Sequence, residues 1–155
     1  MKVVVTNDHR GVRTSEQILA ILAQLNHECL DLTNKEDQAV DYPDSAYEAG
    51  MAVSTGKADR AILICGTGIG MCIAANKVKG VRAAVCFDEL SAKVSRQHND
   101  TNVLCLSGDL LGPSLFRKIV EVWLSTEFEG GRHLRRVRKI QAIEEGKDPR
   151  DVVNG

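Results

Sequence analysis

No stretch of the 155 residues stays apolar for the ~20 positions that a membrane-spanning helix needs. The N-terminus, Met1-Lys2-Val3-Val4-Val5 with acidic Asp8 close behind, reads as a strand and lacks the pattern of a signal peptide. Charge of one sign is lacking too: 20 Lys and Arg face 21 Asp and Glu, and a net charge of -1 argues against a general binder of nucleic acid or membrane surfaces. What positive excess exists lies late, from Arg132 to Lys139. The cysteines, Cys29, Cys65, Cys72, Cys86 and Cys105, form no CxxC pair, so neither a structural zinc site nor a disulfide framework is suggested. Reduced thiols and the absence of a targeting or membrane segment lead to the expectation of a soluble cytoplasmic protein. Internal repeats and low-complexity segments are absent as well.

What is present fits one domain over residues 1–155: 43% hydrophobic and 26% charged residues supply a core large enough to fold unaided. Apolar periodicity predicts strands at Lys2–Thr6, Cys29–Leu32, Ala61–Ile64, Val81–Phe87 and Val103–Leu106. Between them lie predicted helices. The first is capped by Thr14 or Ser15 and runs to Leu25; the second follows the polar loop Thr33–Gln38 and Asp41-Tyr42-Pro43-Asp44, spans about Ser45 to Ser54 and stops at Gly56. A third runs from the glycine-rich loop to Lys77, and a fourth from Asp88-Glu89 to His98-Asn99-Asp100. A fifth opens after Gly112-Pro113, and the last extends from Arg132 to about Glu145 before a polar tail. Five alternations of strand and helix predict an α/β, Rossmann-like three-layer sandwich with a five-stranded parallel sheet. Ligands in such sheets bind beyond the carboxyl ends of the strands, where Asp8, His9, Cys65, Thr67 and Asp88 fall.

The stretch Cys65-Gly66-Thr67-Gly68-Ile69-Gly70 ends a buried strand at a thiol and turns into a helix through glycines. Free N–H groups in such a loop make an anion cradle, and at its lip they favour the thiolate of Cys65. A dinucleotide fingerprint would explain Asp88 downstream but wants glycine where Met71 stands. The Gly-Lys-Ser/Thr of a phosphate-binding P-loop is missing, and a cysteine phosphatase wants arginine, again at Met71. A purely structural tight turn is the plain alternative. Cys29, Cys86 and Cys105, inside predicted strands, read as small buried hydrophobes, while Cys72 in the first helical turns could face either way. His9 and His98 stand beside other polar groups and are equally consistent with solvated and with functional histidines. No helical His/Glu pair at metal-ligand spacing accompanies them. On the last helix, Arg132, Arg136 and Lys139 share one face and Leu134, Val137 and Ile140 another. That pattern suits either a solvated basic stripe or a forked clamp on phosphate.

Taken together, five segments resemble the ribose-5-phosphate isomerase B family, which also contains the galactose-6-phosphate isomerase subunits. They are Asp8-His9; Asp41-Tyr42-Pro43; Cys65 to Gly70 with Ala74-Ala75-Asn76-Lys77; Ser95-Arg96-Gln97-His98-Asn99-Asp100-Thr101-Asn102; and Glu129-Gly130-Gly131-Arg132-His133 with Arg136. The resemblance implies aldose–ketose isomerisation of a phosphorylated sugar without metal or other cofactor. It also implies a homodimer, or a tetramer, with shared active sites and a C-terminal helix reaching the partner subunit. By position it makes Cys65 the base, with Thr67 and the amides of Gly66, Gly68, Ile69 and Gly70 holding the enediolate. His98 with Asp8 would assist ring opening, Tyr42 and Asn99 would contact sugar hydroxyls, and His9, Arg132 and Arg136 would take the phosphate. The chemistry agrees with the residue types: proton abstraction beside a carbonyl needs a base and preorganised donors, and ring opening needs a group titrating near neutrality.

Two positions depart from the family pattern. Asp109, in Ser107-Gly108-Asp109-Leu110-Leu111-Gly112, stands where many members carry an arginine, and Arg10 where relatives carry a small residue. Either another residue compensates for the lost cation or the phosphate sits differently, so a pentose phosphate is the default and a tetrose or hexose phosphate stays open. A reading of a different class is a nucleotide- or phosphate-binding module that uses the glycine loop without catalysis.

Overall fold

The computed structural model describes residues 1–35 and 40–152, so the end of the expected Thr33–Gln38 loop and of the polar tail lies outside the described residues. The strands are β1 (Lys2–Asn7), β2 (Glu28–Asp31), β3 (Arg60–Cys65), β4 (Ala83–Val85) and β5 (Val103–Ser107). Between and after them run α1 (Val12–Gln24), α2 (Tyr42–Ser54), α3 (Ile69–Ala75), α4 (Glu89–Asn99), α5 (Pro113–Ser125) and α6 (Arg132–Glu144). A short 3-10 turn at Pro149–Asp151 follows. All pairings are parallel, in the order β2-β1-β3-β5-β4. This is the predicted Rossmann-like sandwich.

Alternation along the strands divides the core. Val3, Val5, Ile62, Ile64, Leu104 and Leu106 pack towards α1 and α5, whereas Val4, Leu63, Cys65, Val103 and Cys105 pack towards α2 and α3. Every residue of β3 and β5 is buried, as a sheet covered on both faces requires. Arg60 is the charged exception at the foot of β3. Its guanidinium donates to the carbonyls of Trp123 (2.8 Å) and Leu124 (3.0 Å) and lies 5.2 Å from the Trp123 ring centroid, pinning the end of α5 to the sheet.

The expected elements are present with shifted ends. Helix α1 starts earlier than Thr14 or Ser15, at Val12 behind Gly11, and uses no side-chain cap; Ser15 is buried and donates instead to the Val12 carbonyl. Gly11 is needed there because a Cβ would lie 2.7 Å from the Ile64 carbonyl oxygen. Helix α2 already includes Tyr42 and Pro43, since a proline is tolerated in the first turn. Strand β4 is only three residues long, at the sheet edge, and Cys86 lies just beyond it, buried. The apolar face expected on α6 is largely uncovered: Leu134 and Ile140 are exposed and Val137 is half-buried, while Ile143 beyond them is exposed and the helix's buried residues are His133 and Ala142.

The chain leaves β1 towards β2 on one side and returns past β1 to β3 on the other, which opens a crevice at the carboxyl ends of β1 and β3. Helix α4 then runs from the carboxyl edge of the sheet back to its amino edge. Arg82, at the foot of β4, donates to the Asn99 carbonyl (3.2 Å), and the Glu129 N–H reaches the Gln97 carbonyl (3.1 Å), so the end of α4 and the start of α6 meet at that lower edge.

Candidate active site

At the upper edge, Cys65 is the last residue of β3 and 4% exposed. Its sulfur is not packed by aliphatic groups alone: the Gly68 N–H donates to Sγ at 3.1 Å, a contact that suits a sulfur bearing negative charge. Gly68 turns the chain at φ +77°, a left-handed conformation that brings its N–H round to the sulfur. Thr67 is exposed and its Oγ1 accepts from the Ile69 N–H (3.3 Å). Among the described residues, the N–H groups of Gly66, Thr67 and Gly70 have no acceptor, so they remain for a ligand. Tyr42 lies across the loop, its ring where a Cβ on Gly70 would approach to 2.7 Å. The loop is tethered from β5 by Ser107 Oγ, which donates to the Gly66 carbonyl (2.6 Å), and by the Gly108 N–H, which donates to the Cys65 carbonyl (2.8 Å).

Asp8 and His9 stand beside this loop. The Asp8 N–H donates to the Ile64 carbonyl (3.0 Å), and its buried carboxylate accepts the Arg10 N–H (2.9 Å), fixing the turn after β1. Arg10 crosses to the loop after β5 and donates from Nε and Nη2 to one oxygen of Asp109, both at 2.8 Å. The two residues that depart from the family pattern are thus ion-paired to each other, over Gly66. Next to them opens a cavity of about 490 Å³, lined by His9, Arg10, Arg13, Thr14, Lys35 and Gly108.

The remaining predicted site residues gather elsewhere. His98 and Asn99 end α4 at the lower edge of the sheet, where the His98 ring stacks on His133 with centroids 4.1 Å apart and planes 3° from parallel. Arg132 Nε donates to His133 Nε2 (3.3 Å), and Arg136 Nη1 lies 3.3 Å from Nδ1. His98, His133 and Glu129 bring potential ligand atoms within 4.8 Å of one another, but two guanidinium groups at the His133 nitrogens make the place suit an anion better than a cation. Burial first, then His98, Arg132 and Arg136, push the His133 pKa below the ordinary histidine value. The α4 end that carries His98 is rigid: Arg96 donates to Asp100 (2.8 Å) and to the Thr101 carbonyl, and Trp123 Nε1 donates to Thr101 Oγ1 (3.0 Å). The described chain therefore holds two half-sets. Cys65, Thr67, Asp8, His9 and Tyr42 lie above, and His98, Asn99, Arg132 and Arg136 lie below.

Three contributions went unrecognised in the sequence. His133 follows Arg132 with no distinguishing spacing, and only its burial in the fold marks it out. Arg10 and Asp109 are 99 residues apart, and only the β1–β3 and β3–β5 pairings bring them together. Cys72 is half-buried on α3, and hydrogen bonding to Cys105 pulls its pKa down to about 7.

A model of the family described as Ribose/Galactose Isomerase matches residues 3–140. Ribose-5-phosphate isomerase B of Escherichia coli is 45% identical over 141 residues, covering 91% of this chain and 95% of the relative. D-erythrulose-4-phosphate isomerase of Pectobacterium atrosepticum is 50% identical over 99 residues, 64% of this chain and 65% of that one. The structure of Clostridium thermocellum ribose-5-phosphate isomerase B superposes with a TM-score of 0.93 at 44% identity, over 94% of this chain and 99% of the other. With this coverage and this fold, the chain belongs to the ribose/galactose isomerase family.

Proposed function

We propose that this aldose–ketose isomerase interconverts ribose 5-phosphate and ribulose 5-phosphate through a cis-enediolate, with Cys65 as the base. The observation that carries this reading is the sulfur at the end of β3, facing the Gly68 N–H beside further unengaged amides. In the aldose-to-ketose direction the thiolate takes the C2 proton, and the electron pair moves through C1–C2 onto the C1 oxygen. The amides of Gly66, Thr67 and Gly70 and the Thr67 hydroxyl receive that charge, a contribution of about 3–4 kcal/mol per donor. A proton delivered from the Cys65 thiol to C1, after exchange with solvent, and transfer of the O2 proton to O1 leave the C2 carbonyl of the ketose, so no redox partner is consumed. No step needs a metal.

Ring opening, which exposes the carbonyl, falls to His98 acting with Asp8. Helix α4 has 11 residues and thus separates its two ends by about 16 Å. One chain cannot bring His98 to its own Cys65, so the working site takes Cys65, Thr67, Asp8, His9 and Tyr42 from one copy. His98, Asn99, Arg132 and Arg136 come from a second copy, with Tyr42 and Asn99 on sugar hydroxyls and His9 and the arginines on phosphate. The exposed Leu134, Ile140 and Ile143 of α6 support burial against that copy, in a homodimer or a tetramer. The similarity to a D-erythrulose-4-phosphate isomerase keeps a tetrose phosphate as the second reading.

The test is kinetic. Cys65→Ala should cut turnover by about 10² to 10⁴ while still binding ribose 5-phosphate. Solvent deuterium should enter C2 of the recovered aldose and C1 of the ketose. Wild-type turnover in Cys65→Ala would remove the base assignment, and a panel of four-, five- and six-carbon phosphates decides the sugar.

A further inference from the structure

We propose that Arg10 is a phosphate-binding, specificity-determining residue of this site, and that Asp109 is the positioning residue that aims it and tempers its charge. The inference rests on the substrate being phosphorylated, as proposed above. Arg10 belongs to the loop after β1, which also carries Asp8 and His9. Its side chain runs over the glycine loop so closely that a Cβ on Gly66 would lie 3.1 Å from Arg10 Cδ, 3.2 Å from Nε and 2.9 Å from Asp109 Oδ2. The guanidinium is therefore held one residue from Cys65, on the wall of the cavity that His9 shares.

The geometry of the pair leaves donors over. A guanidinium has five N–H donors in a rigid fork, and both bonds to Asp109 end on Oδ2, from Nε and Nη2. Nη1 and the second hydrogen of Nη2 stay available, on a side chain that is 57% exposed. Such a fork fits two oxygens of a phosphate. Asp109 acts in two opposing ways: it fixes the direction of a long side chain, which spares ordering entropy on binding, and its own charge repels the incoming dianion. A cation that reaches in from the loop after β1 also meets the phosphate from a different side than one projected from position 109 would. The distance between phosphate and sulfur, and with it the length of sugar accepted, is then set by Arg10.

Opposite signs distinguish this role from a merely structural pair. For ribose 5-phosphate, Arg10→Gln should raise KM about tenfold or more with kcat within about threefold, because remote phosphate binding is lost. Asp109→Asn should instead lower KM several-fold, by removing the repulsion while leaving the cation. A pair that only braces the Gly66 loop would shift both variants in the same direction, and that result, or no KM change in Arg10→Gln, overturns the inference. If Arg10→Gln does not fold, Arg10→Lys replaces it; retained charge without the fork should give an intermediate KM, and an unchanged KM again overturns the inference. Calorimetry with inorganic phosphate gives a reading independent of turnover: Arg10→Gln should weaken binding and Asp109→Asn should strengthen it. Absence of sugar-phosphate isomerisation in the wild type would sink the proposed reaction, while the calorimetric pair of results would still judge Arg10.

Discussion

Gly68 and Gly70 sit two residues apart in one loop, yet a methyl group on each should have different effects. At Gly68 the φ of +77° is unfavourable for any side chain, and a Cβ would meet Val85 Cγ2 at 2.6 Å and the Leu106 carbonyl carbon at 3.1 Å. Gly68→Ala should therefore cost about 2 kcal/mol or more and lower the melting midpoint by roughly 4–8 °C, besides misdirecting the N–H at Cys65. At Gly70 the nearest atoms belong to the Tyr42 ring, a side chain end on a residue that is 43% exposed, where backbone need not shift. Gly70→Ala should keep the midpoint and change KM, and a fall in midpoint as large as that of Gly68→Ala would contradict this. Cys72 complicates any thiol chemistry. With its pKa near 7, it should be alkylated by iodoacetamide at pH 7.5 alongside the nearly buried Cys65, which mass spectrometry of digests would read. At this scale the position of Cys65 at a strand end beside the glycine loop was legible in the sequence, because a strand end followed by glycines is a local pattern. Arg10 with Asp109, and Cys72 with Cys105, were not, because each pair is made by strands or helices that meet only in the folded sheet.

Helices α4 and α6 meet through the His98–His133 stack, and that junction should make the protein acid-sensitive. His133 has a lowered pKa in the folded state, so the unfolded chain binds the proton more readily. Stability from this group is complete above the ordinary value of 6.5 and falls as pH drops below it. His27, lowered chiefly by burial, adds a change of the same sign. The melting midpoint should thus fall between pH 7 and pH 5.5, and His133→Asn should flatten the fall; an unaltered slope would assign it to other groups. The carboxylates that neighbours hold low, such as Asp31 and Asp88, are lost only at more acidic pH. Elements with strong local signals were legible. Asp88 caps α4 with Ser91 in a reciprocal capping box, and Pro113 opens α5. The start of α1 was missed because its cap is a glycine chosen for close packing against β3. The length of β4 was overestimated because the apolar pattern of Val81 to Phe87 extends past both ends of Ala83–Val85, the three residues that pair with β5.

Across the whole molecule, the separation of the two half-sets makes a test of shared sites possible. In the proposed homodimer, Cys65→Ala and His98→Asn should each be impaired, but mixing and reassociating equal amounts should restore about a quarter of wild-type activity. Half of the dimers would then be mixed, each with one intact site. No recovery on verified mixing would mean that the two residues do not act across a dimer interface. The parallel sheet was legible from the alternation of strands and helices, whereas strand order was not, since short connections allow several crossovers. That order bears on biosynthesis. Because β5 lies between β3 and β4, the fourth strand has nowhere to dock until residues 103–107 have left the ribosome. A nascent chain paused before that point would carry an open edge on β3, a template for pairing with neighbouring chains that only the last strand can close.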